Sequence, residues 1–346
     1  MKRFQTIVLC AAMLALGACA GNSPDKPLMR GKASAALDEA FASYLQAVAD
    51  CKEDLHSIMV LQHDKVLEEK FFQGDSAHIL NSVSKTFTST AVGFAISEGL
   101  MSLDEKIVDI FPELVTENVS DTMKRVTVRN LLTMNSGHGT EPSSVRRSSD
   151  WVQAFLESHL DYEPGTCYCY NSYGTYVLSA AVQKRSGQKV VDYLDTRLWQ
   201  PLGIEKPRWQ ESPAGINTGG WGLYLKTEDL ARMGLCILNG GKFGGKQVIP
   251  ADWVEQMGAY QVPSVNAGVN QYQAVERGMD PTDNDWMQGY GFQMWRCRHG
   301  AFRADGANGQ YIIIISDKDA VVVTTANIRD MAEELNLIWD HILPAL

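Results

Sequence analysis

The chain has 346 residues, 45% hydrophobic and 21% charged, enough for a sizeable core in two domains or in one large domain with a lobe. Its formal net charge is −10. Binding of polyanions needs a basic stripe, and the sequence has none, so no nucleic-acid partner is expected.

Residues 1–23, MKRFQTIVLCAAMLALGACAGNS, carry Lys2 and Arg3, an apolar run from Ile7 to Leu16, and then small residues. This is the pattern of an export signal, too short and one-sided for a spanning helix. Leu16-Gly17-Ala18-Cys19 resembles the bacterial lipobox, in which cleavage frees the cysteine and lipid is attached to its thiol. The expectation is a signal peptide over 1–18, lipid on Cys19 and a polar tether over 19–33. The other reading is an ordinary secretory signal that happens to contain a cysteine. Either places the protein in the cell envelope or beyond; lipidation adds a membrane as partner, with the domain facing the periplasm or exterior. Beyond Cys19 stand Cys51, Cys167, Cys169, Cys236 and Cys297, odd in number and irregular in spacing. No disulfide framework is expected from them. Buried thiols are the expectation, and the scattered histidines complete no zinc set, so neither metal nor cofactor is expected.

From Ser34, the apolar positions Leu37, Phe41, Tyr44, Leu45 and Val48 fall on one helical stripe. SIMVLQHDKVLEEKFF, from Ser57, reads as two strands around His63-Asp64-Lys65, a hairpin. From Asn81 the chain turns helical. VTVRNLLTM (126–134), DWVQAFLESHL (150–160), YGTYVLSAAVQKRSG (173–187) and TEDLARMGLCILNGG (227–241) each show helical spacing and stop at glycine or polar turns. Residues 261–285 show no periodicity and read as a surface excursion. Strand character returns in GYGFQMWRCRH (289–299), AFRAD (301–305), QYIIIIS (310–316) and AVVVTTA (320–326), before a helix near Met331 to Ile342. The order predicts an α+β fold: an antiparallel sheet from about 34–80 and 286–346, flanked by terminal helices, with a helical lobe inserted over about 81–285. Chemistry is expected in the cleft between lobe and sheet.

One segment for that cleft is ILNSVSKTFTSTAVGFAISEGL, residues 79–100, where Lys85 is the lone charge between Ser82 and Ser97. Ser-x-x-Lys occurs three times, at Ser23, Ser186 and Ser82, and context singles out the last. Asn81 is expected as N-cap, with Ser82 in the first turn and Lys85 three residues on, on the same face. A helix N-terminus offers a free N–H and positive potential to a developing oxyanion. Desolvation lowers a lysine pKa, so that its amine can take the serine proton. The plainer reading is a lysine reaching solvent beside a serine that merely caps. A second segment, EPGTCYCYNSYGTYVLSAAVQKRSG (163–187), has a Pro-Gly turn, aromatics and Tyr170 ahead of a helix. Tyr170 is a candidate proton carrier, or else a core aromatic with a satisfied hydroxyl.

Together these segments resemble the β-lactamase-related serine hydrolase family, which includes class C β-lactamases, D,D-carboxypeptidases, esterases and 6-aminohexanoate-dimer hydrolases. VRNLLTMNSGH (128–138), GGWGLYLKTEDLARMG (219–234) and FRADGANGQYIIII (302–315) resemble further family segments in the family's order. The resemblance implies a β-lactamase/transpeptidase-like fold and an acyl-enzyme mechanism. In it Ser82 attacks a carbonyl, Lys85 and Tyr170 handle its proton, and the N–H groups of Ser82 and Ala307 hold the oxyanion. Ser172, Trp221, Asp305 and Gly306 would line the substrate site. Two positions depart from the family's pattern: Ser172 stands where it has Asn, and Ala304-Asp305-Gly306 where it has a cationic strand motif that helps hold a substrate carboxylate. Arg303 and His299 are the nearby cations in sequence. An Asp facing the cleft would repel a carboxylate, so an ester or linear amide is the expected small-molecule substrate. The alternatives are a peptidoglycan D,D-carboxypeptidase, penicillin-binding protein or β-lactamase, and a catalytically silent lipid-anchored binding module.

Overall fold

The computed structural model describes residues 22–265 and 280–346. The signal segment, Cys19 and residues 266–279 of the expected surface excursion lie outside the described residues.

Helix α1 (Ala35–Asp50) starts at Ser34, whose hydroxyl accepts from Leu37 N, and buries Leu37, Phe41, Tyr44 and Val48. Strands β1 (Leu55–Gln62) and β2 (Lys65–Phe71) form the hairpin. Its two turn residues, His63 and Asp64, have φ of 51° and 60°, the left-handed pair that matches strand twist. β3 (His78–Ile79) leads to α2 (Ser84–Ser97), followed by α3 (Ile107–Ile110), α4 (Val128–Leu132), α5 (Trp151–Leu156), α6 (Ser172–Ser186), α7 (Val190–Tyr193) and α8 (Gln200–Leu202). Next come β4 (Tyr224–Leu225), α9 (Thr227–Leu238), β5 (Lys242–Phe243), β6 (Lys246–Gln247) and α10 (Ala251–Gly258). The chain returns through β7 (Trp295–Arg296), β8 (Phe302–Gly306), β9 (Gln310–Ile315) and β10 (Ala320–Ala326) to α11 (Met331–Leu337).

Six strands make one antiparallel sheet in the order β2-β1-β10-β9-β8-β7, so the α+β architecture is as expected. Strand alternation divides the core. Met59, Leu61, Ile312, Ile314, Val321 and Val323 face the lobe, while Ile58, Val60, Ile313, Ile315 and Val322 face the terminal helices. Each such side chain contributes about 2 kcal/mol when taken from water, so neither helical layer is dispensable in a marginally stable domain. That double cover is why 311–315 reads as an unbroken apolar run. Helix α2 runs through the lobe with every residue from Ser84 to Ala95 buried.

Several expectations need correcting. Helix α9, expected within the lobe, packs directly on the sheet: a Cβ on Gly234 would lie 2.5 Å from Val321 Cγ1 and 3.0 Å from Ile312 Cγ2. Of the strand expected over 289–299, only Trp295–Arg296 forms, because φ is positive at Gly289 and at Gln293. Cys51 is exposed and Cys167 half-buried, leaving Cys169, Cys236 and Cys297 as the buried thiols. Residues 22–33, expected as a tether, are docked. Leu28 is buried, its N–H donates to Glu228 Oε1, Val66 N donates to Met29 O, and Gly31 N donates to Val66 O. Arg30 pairs with Glu69 and Glu228, and Arg232 donates to Lys26 O. One leucine among polar residues gives no periodic signal, which is why the docking was not legible.

Gly203, at φ 70°, sits under this segment, and a Cβ there would lie 1.9 Å from Pro24 O. Gly203→Ala is expected to destabilise the protein by about 1–3 kcal/mol, seen as a lower urea midpoint, and to hasten proteolysis of residues 22–31.

Candidate active site

The candidate nucleophile lies where β3 meets α2. Leu80 N donates to Leu223 O, and Asn81–Val83 then form a tight 3₁₀ turn ahead of the α-helix. Asn81 is not the N-cap that was expected. Its φ of 47° is left-handed, whereas a cap residue is extended, and its Nδ2 donates instead to Ala307 O at 2.8 Å. The turn is closed by Ser84 Oγ, which donates to Asn81 O at 2.7 Å. Ser82 is left half-buried at the mouth of the helix.

Lys85 is 0% exposed, and three oxygens surround its Nζ: Gly220 O at 2.8 Å, Ser82 Oγ at 3.0 Å and Ser172 Oγ at 3.2 Å. A carbonyl can only accept and Ser172 can accept, so a neutral amine spends its two protons there and turns its lone pair to the Ser82 hydroxyl. Burial pushes the Lys85 ammonium down to about 7, with Glu141 and Asp305 pulling the other way. A proton acceptor at the serine is thus available near neutrality.

Two elements carry the other ligands of Lys85. Asn171 caps α6, accepting from Tyr173 N and Gly174 N, which fixes Ser172 as the first helical residue. Serine at 172 is short, yet its hydroxyl still reaches Lys85. The loop 219–222 is clasped to α2 by Thr88 Oγ1, donating to Gly219 O, and by Leu223 N, donating to Ser84 Oγ. A Cβ on Gly220 would lie 2.7 Å from Ser172 O, so glycine is what lets this loop bring its carbonyl to the lysine.

Tyr170 presents its ring to Lys85 Nζ, 4.7 Å from the centroid, and stacks on Trp295 with centroids 5.4 Å apart. Its hydroxyl end is buried and bonded to Ser82; burial raises the phenol well above its usual range, with the Ser82 bond opposing. Burial thus favours the neutral phenol of Tyr170 beside the serine.

Strand β8 meets the nucleophile turn at Gly306, where a Cβ would lie 2.3 Å from Leu80 O and 3.2 Å from Val83 N. Only glycine permits that approach, which brings Ala307 to the serine turn. Asp305 is a correction. Its register partner is Tyr311 and that of Arg303 is Ile313, both on the terminal-helix face. Arg303, 0% exposed, bonds Asp305 Oδ2 through Nε at 2.9 Å and Nη2 at 2.8 Å. Asp305 is thus consumed in a buried ion pair rather than offered to substrate. Arg303 is likewise unavailable, and exposed His299 packs its ring on Trp339.

The structure therefore brings together Ser82, Lys85, Tyr170, Ser172, the Gly220-Trp221 loop and the Gly306-Ala307 strand end. Trp221 is half-buried, with its ring 5.8 Å from those of Trp151 and Tyr173. Sequence reasoning missed Gly220 as the carbonyl ligand of Lys85, Trp295 as the plate under Tyr170, and Glu141. The Glu141 carboxylate accepts from Ser172 N at 2.5 Å. It sits in an aperiodic loop between α4 and α5, where no pattern marks it.

A model of the family described as Beta-lactamase matches residues 51–346. A 6-aminohexanoate-dimer hydrolase of Paenarthrobacter ureafaciens is 27% identical over 298 residues, 79% of this chain and 73% of that protein. Among solved structures, a penicillin-binding protein homologue from Caulobacter crescentus superposes with TM-score 0.70 at 15% identity, over 91% of this chain and 99% of that one. A family VIII carboxylesterase superposes with TM-score 0.69 at 14% identity, over 92% and 99%. At those identities the two structures speak to the fold.

If the amine of Lys85 must be neutral, acylation of Ser82 by p-nitrophenyl acetate should be slow in acid and rise through about pH 7 to a plateau. Lys85→Arg, which cannot deprotonate, should be inactive across the range. Stopped-flow release of p-nitrophenol against pH reads both; a flat profile from pH 5 to 9 contradicts the assignment.

Proposed function

The chain belongs to the beta-lactamase family of hydrolases, and we propose that it is an exported serine hydrolase working through an acyl-enzyme on Ser82, with an ester or linear amide as substrate. The observation that carries this reading is the desolvated Lys85, held 3.0 Å from Ser82 Oγ by two other oxygens. Lys85 takes the hydroxyl proton as Ser82 Oγ bonds the substrate carbonyl carbon. The carbonyl oxygen gains the negative charge and lies against the N–H groups of Ser82 and Ala307. On collapse, the proton passes from Lys85, relayed by the neutral Tyr170, to the departing alcohol or amine. Water repeats the sequence on the acyl-enzyme: its proton goes to Lys85, its oxygen to the carbonyl carbon, and Ser82 leaves with a proton restored.

A β-lactam or a D-alanyl peptide brings a carboxylate into the cleft. Ala304 offers no charge there, and Arg303 is already paired with Asp305. An unpaired anion in a partly desolvated cleft is costly, which favours the ester or linear amide. The silent binding module is disfavoured for a different reason. A lysine at 0% exposure with no carboxylate bonded to its Nζ is an expensive way to fill space.

Ser82→Ala should abolish hydrolysis of short-chain esters, and Tyr170→Phe should cost on the order of a hundredfold in kcat. Intact-protein mass spectrometry should show an ester-derived acyl group on the wild type only, with nitrocefin turned over poorly or not at all. Nitrocefin hydrolysis as efficient as the best ester would restore the penicillin-recognising alternative.

Lipid on Cys19 remains part of the proposal, and the docked chain sharpens it. Asn22 is already packed on the domain, so residues 20 and 21 alone would separate lipid from fold, holding the domain close against its membrane. Cys19→Ala should release the protein to the soluble fraction with its melting temperature unchanged; retention on membranes in high salt would end the lipid assignment.

A further inference from the structure

The charge lining this cleft is unbalanced. Lys85 is enclosed and fully engaged by Ser82, Ser172 and Gly220. Arg303 is buried with Asp305. Glu141 is exposed and stands at the first residue of α6, its Oε1 taken by Ser172 N at 2.5 Å. That bond leaves lone pairs on both carboxylate oxygens free to accept more. Glu141 lies within electrostatic reach of Lys85, Tyr170 and Tyr173; Asp305 also reaches the first two and Arg303 reaches Tyr170, but those two opposite charges are spent on each other. Arg146, on the same loop, is exposed and reaches Tyr173 alone of these.

The carboxylate does not stand alone. Beside Ser172 in sequence, Tyr173 packs edge-on against Trp221, and the Trp221 ring is half-exposed next to the Gly220 carbonyl that binds the lysine. On the other side of Lys85, Tyr170 stacks on Trp295. An ammonium entering beside Ser82 thus meets aromatic rings and one carboxylate, the pairing that recognises cations by ring quadrupole and charge together. A carboxylate entering the same space meets the Glu141 charge, with Arg303 already paired to Asp305 and Arg146 only at the Tyr173 side.

Resting on the hydrolase reading above, we propose that Glu141 is a specificity-determining residue, selecting esters or amides that carry an ammonium group near the scissile carbonyl. It acts through binding and takes no part in proton transfer. The bond from Ser172 N fixes the carboxylate at one residue's remove from the reacting serine and lysine.

The test compares matched p-nitrophenyl esters whose acyl chains end in trimethylammonium, tert-butyl or carboxylate. The wild type should favour the cationic ester over its neutral isostere by about tenfold in kcat/KM, and disfavour the anionic one. Glu141→Gln keeps an acceptor for Ser172 N and removes the charge, so the cationic-to-neutral ratio should fall to about one. Arg146→Gln should leave that ratio unchanged. A second readout needs no turnover: calorimetry on Ser82→Ala should show tighter binding of the cationic than of the neutral ester, with the difference lost in Ser82→Ala/Glu141→Gln. Ser82-dependent hydrolysis with a ratio near one in the wild type, a ratio indifferent to Glu141→Gln, or a preference for the anionic ester overturns the proposal while leaving the hydrolase reading intact. Absence of Ser82-dependent hydrolysis with the calorimetric preference intact removes the hydrolase reading and keeps Glu141 as a cation selector.

Discussion

A lysine without water is the constraint around which this molecule is arranged. An ammonium buried in an apolar helix is unstable unless its protons are met, and here they are met by one carbonyl and two hydroxyls, none of them charged. Carboxylate partners would hold the proton on the amine; neutral oxygens let it go. Each of those oxygens comes from a different stretch of chain, so the nucleophile turn, the N-terminus of α6 and the glycine loop must all be in register before the lysine is stable at all. Folding of the lobe and assembly of the site are on this account one event.

Much of that was legible in the sequence, for reasons that are local. A single lysine three residues after a serine in an apolar run is conspicuous, and helical periodicity fixes which face it takes. The apolar alternation of the last strands and the hairpin around His63-Asp64 are likewise local signals. What stayed hidden depends on backbone atoms and on contacts distant in sequence. The carbonyl of Gly220 carries no side-chain signature, and Glu141 reaches Ser172 across 31 residues of chain. Asn81 is ambiguous in the sequence because its residue type suits both a cap and a left-handed turn, and the approach of Ala307 decides between them.

Asp305 shows how a motif alignment can mislead about chemistry. Read as a cleft residue, it makes the site anionic on the strand side. Arg303 takes it up instead, with three aromatic rings, Trp286, Trp295 and Tyr311, around the guanidinium, so that the carboxylate acts on Lys85 and Tyr170 only as half of an ion pair. Between the two paired residues the strand carries no charge at Ala304. The other carboxylate that acts on Lys85, Glu141, comes from the loop side and belongs to no motif.

The docked N-terminal segment has a consequence for the sheet. In the strand order β2 is an outer strand, with one row of N–H and C=O groups unclaimed by β1. Residues 29–31 run parallel to it at Val66, accepting from and donating to that residue's backbone. The opposite edge, β7, is only two residues long. Both sides of the sheet are thereby closed to a second molecule's strand, so a chain trimmed back to Ala35 would expose an outer edge through which copies could join, and the short peptide ahead of α1 serves as a guard against aggregation.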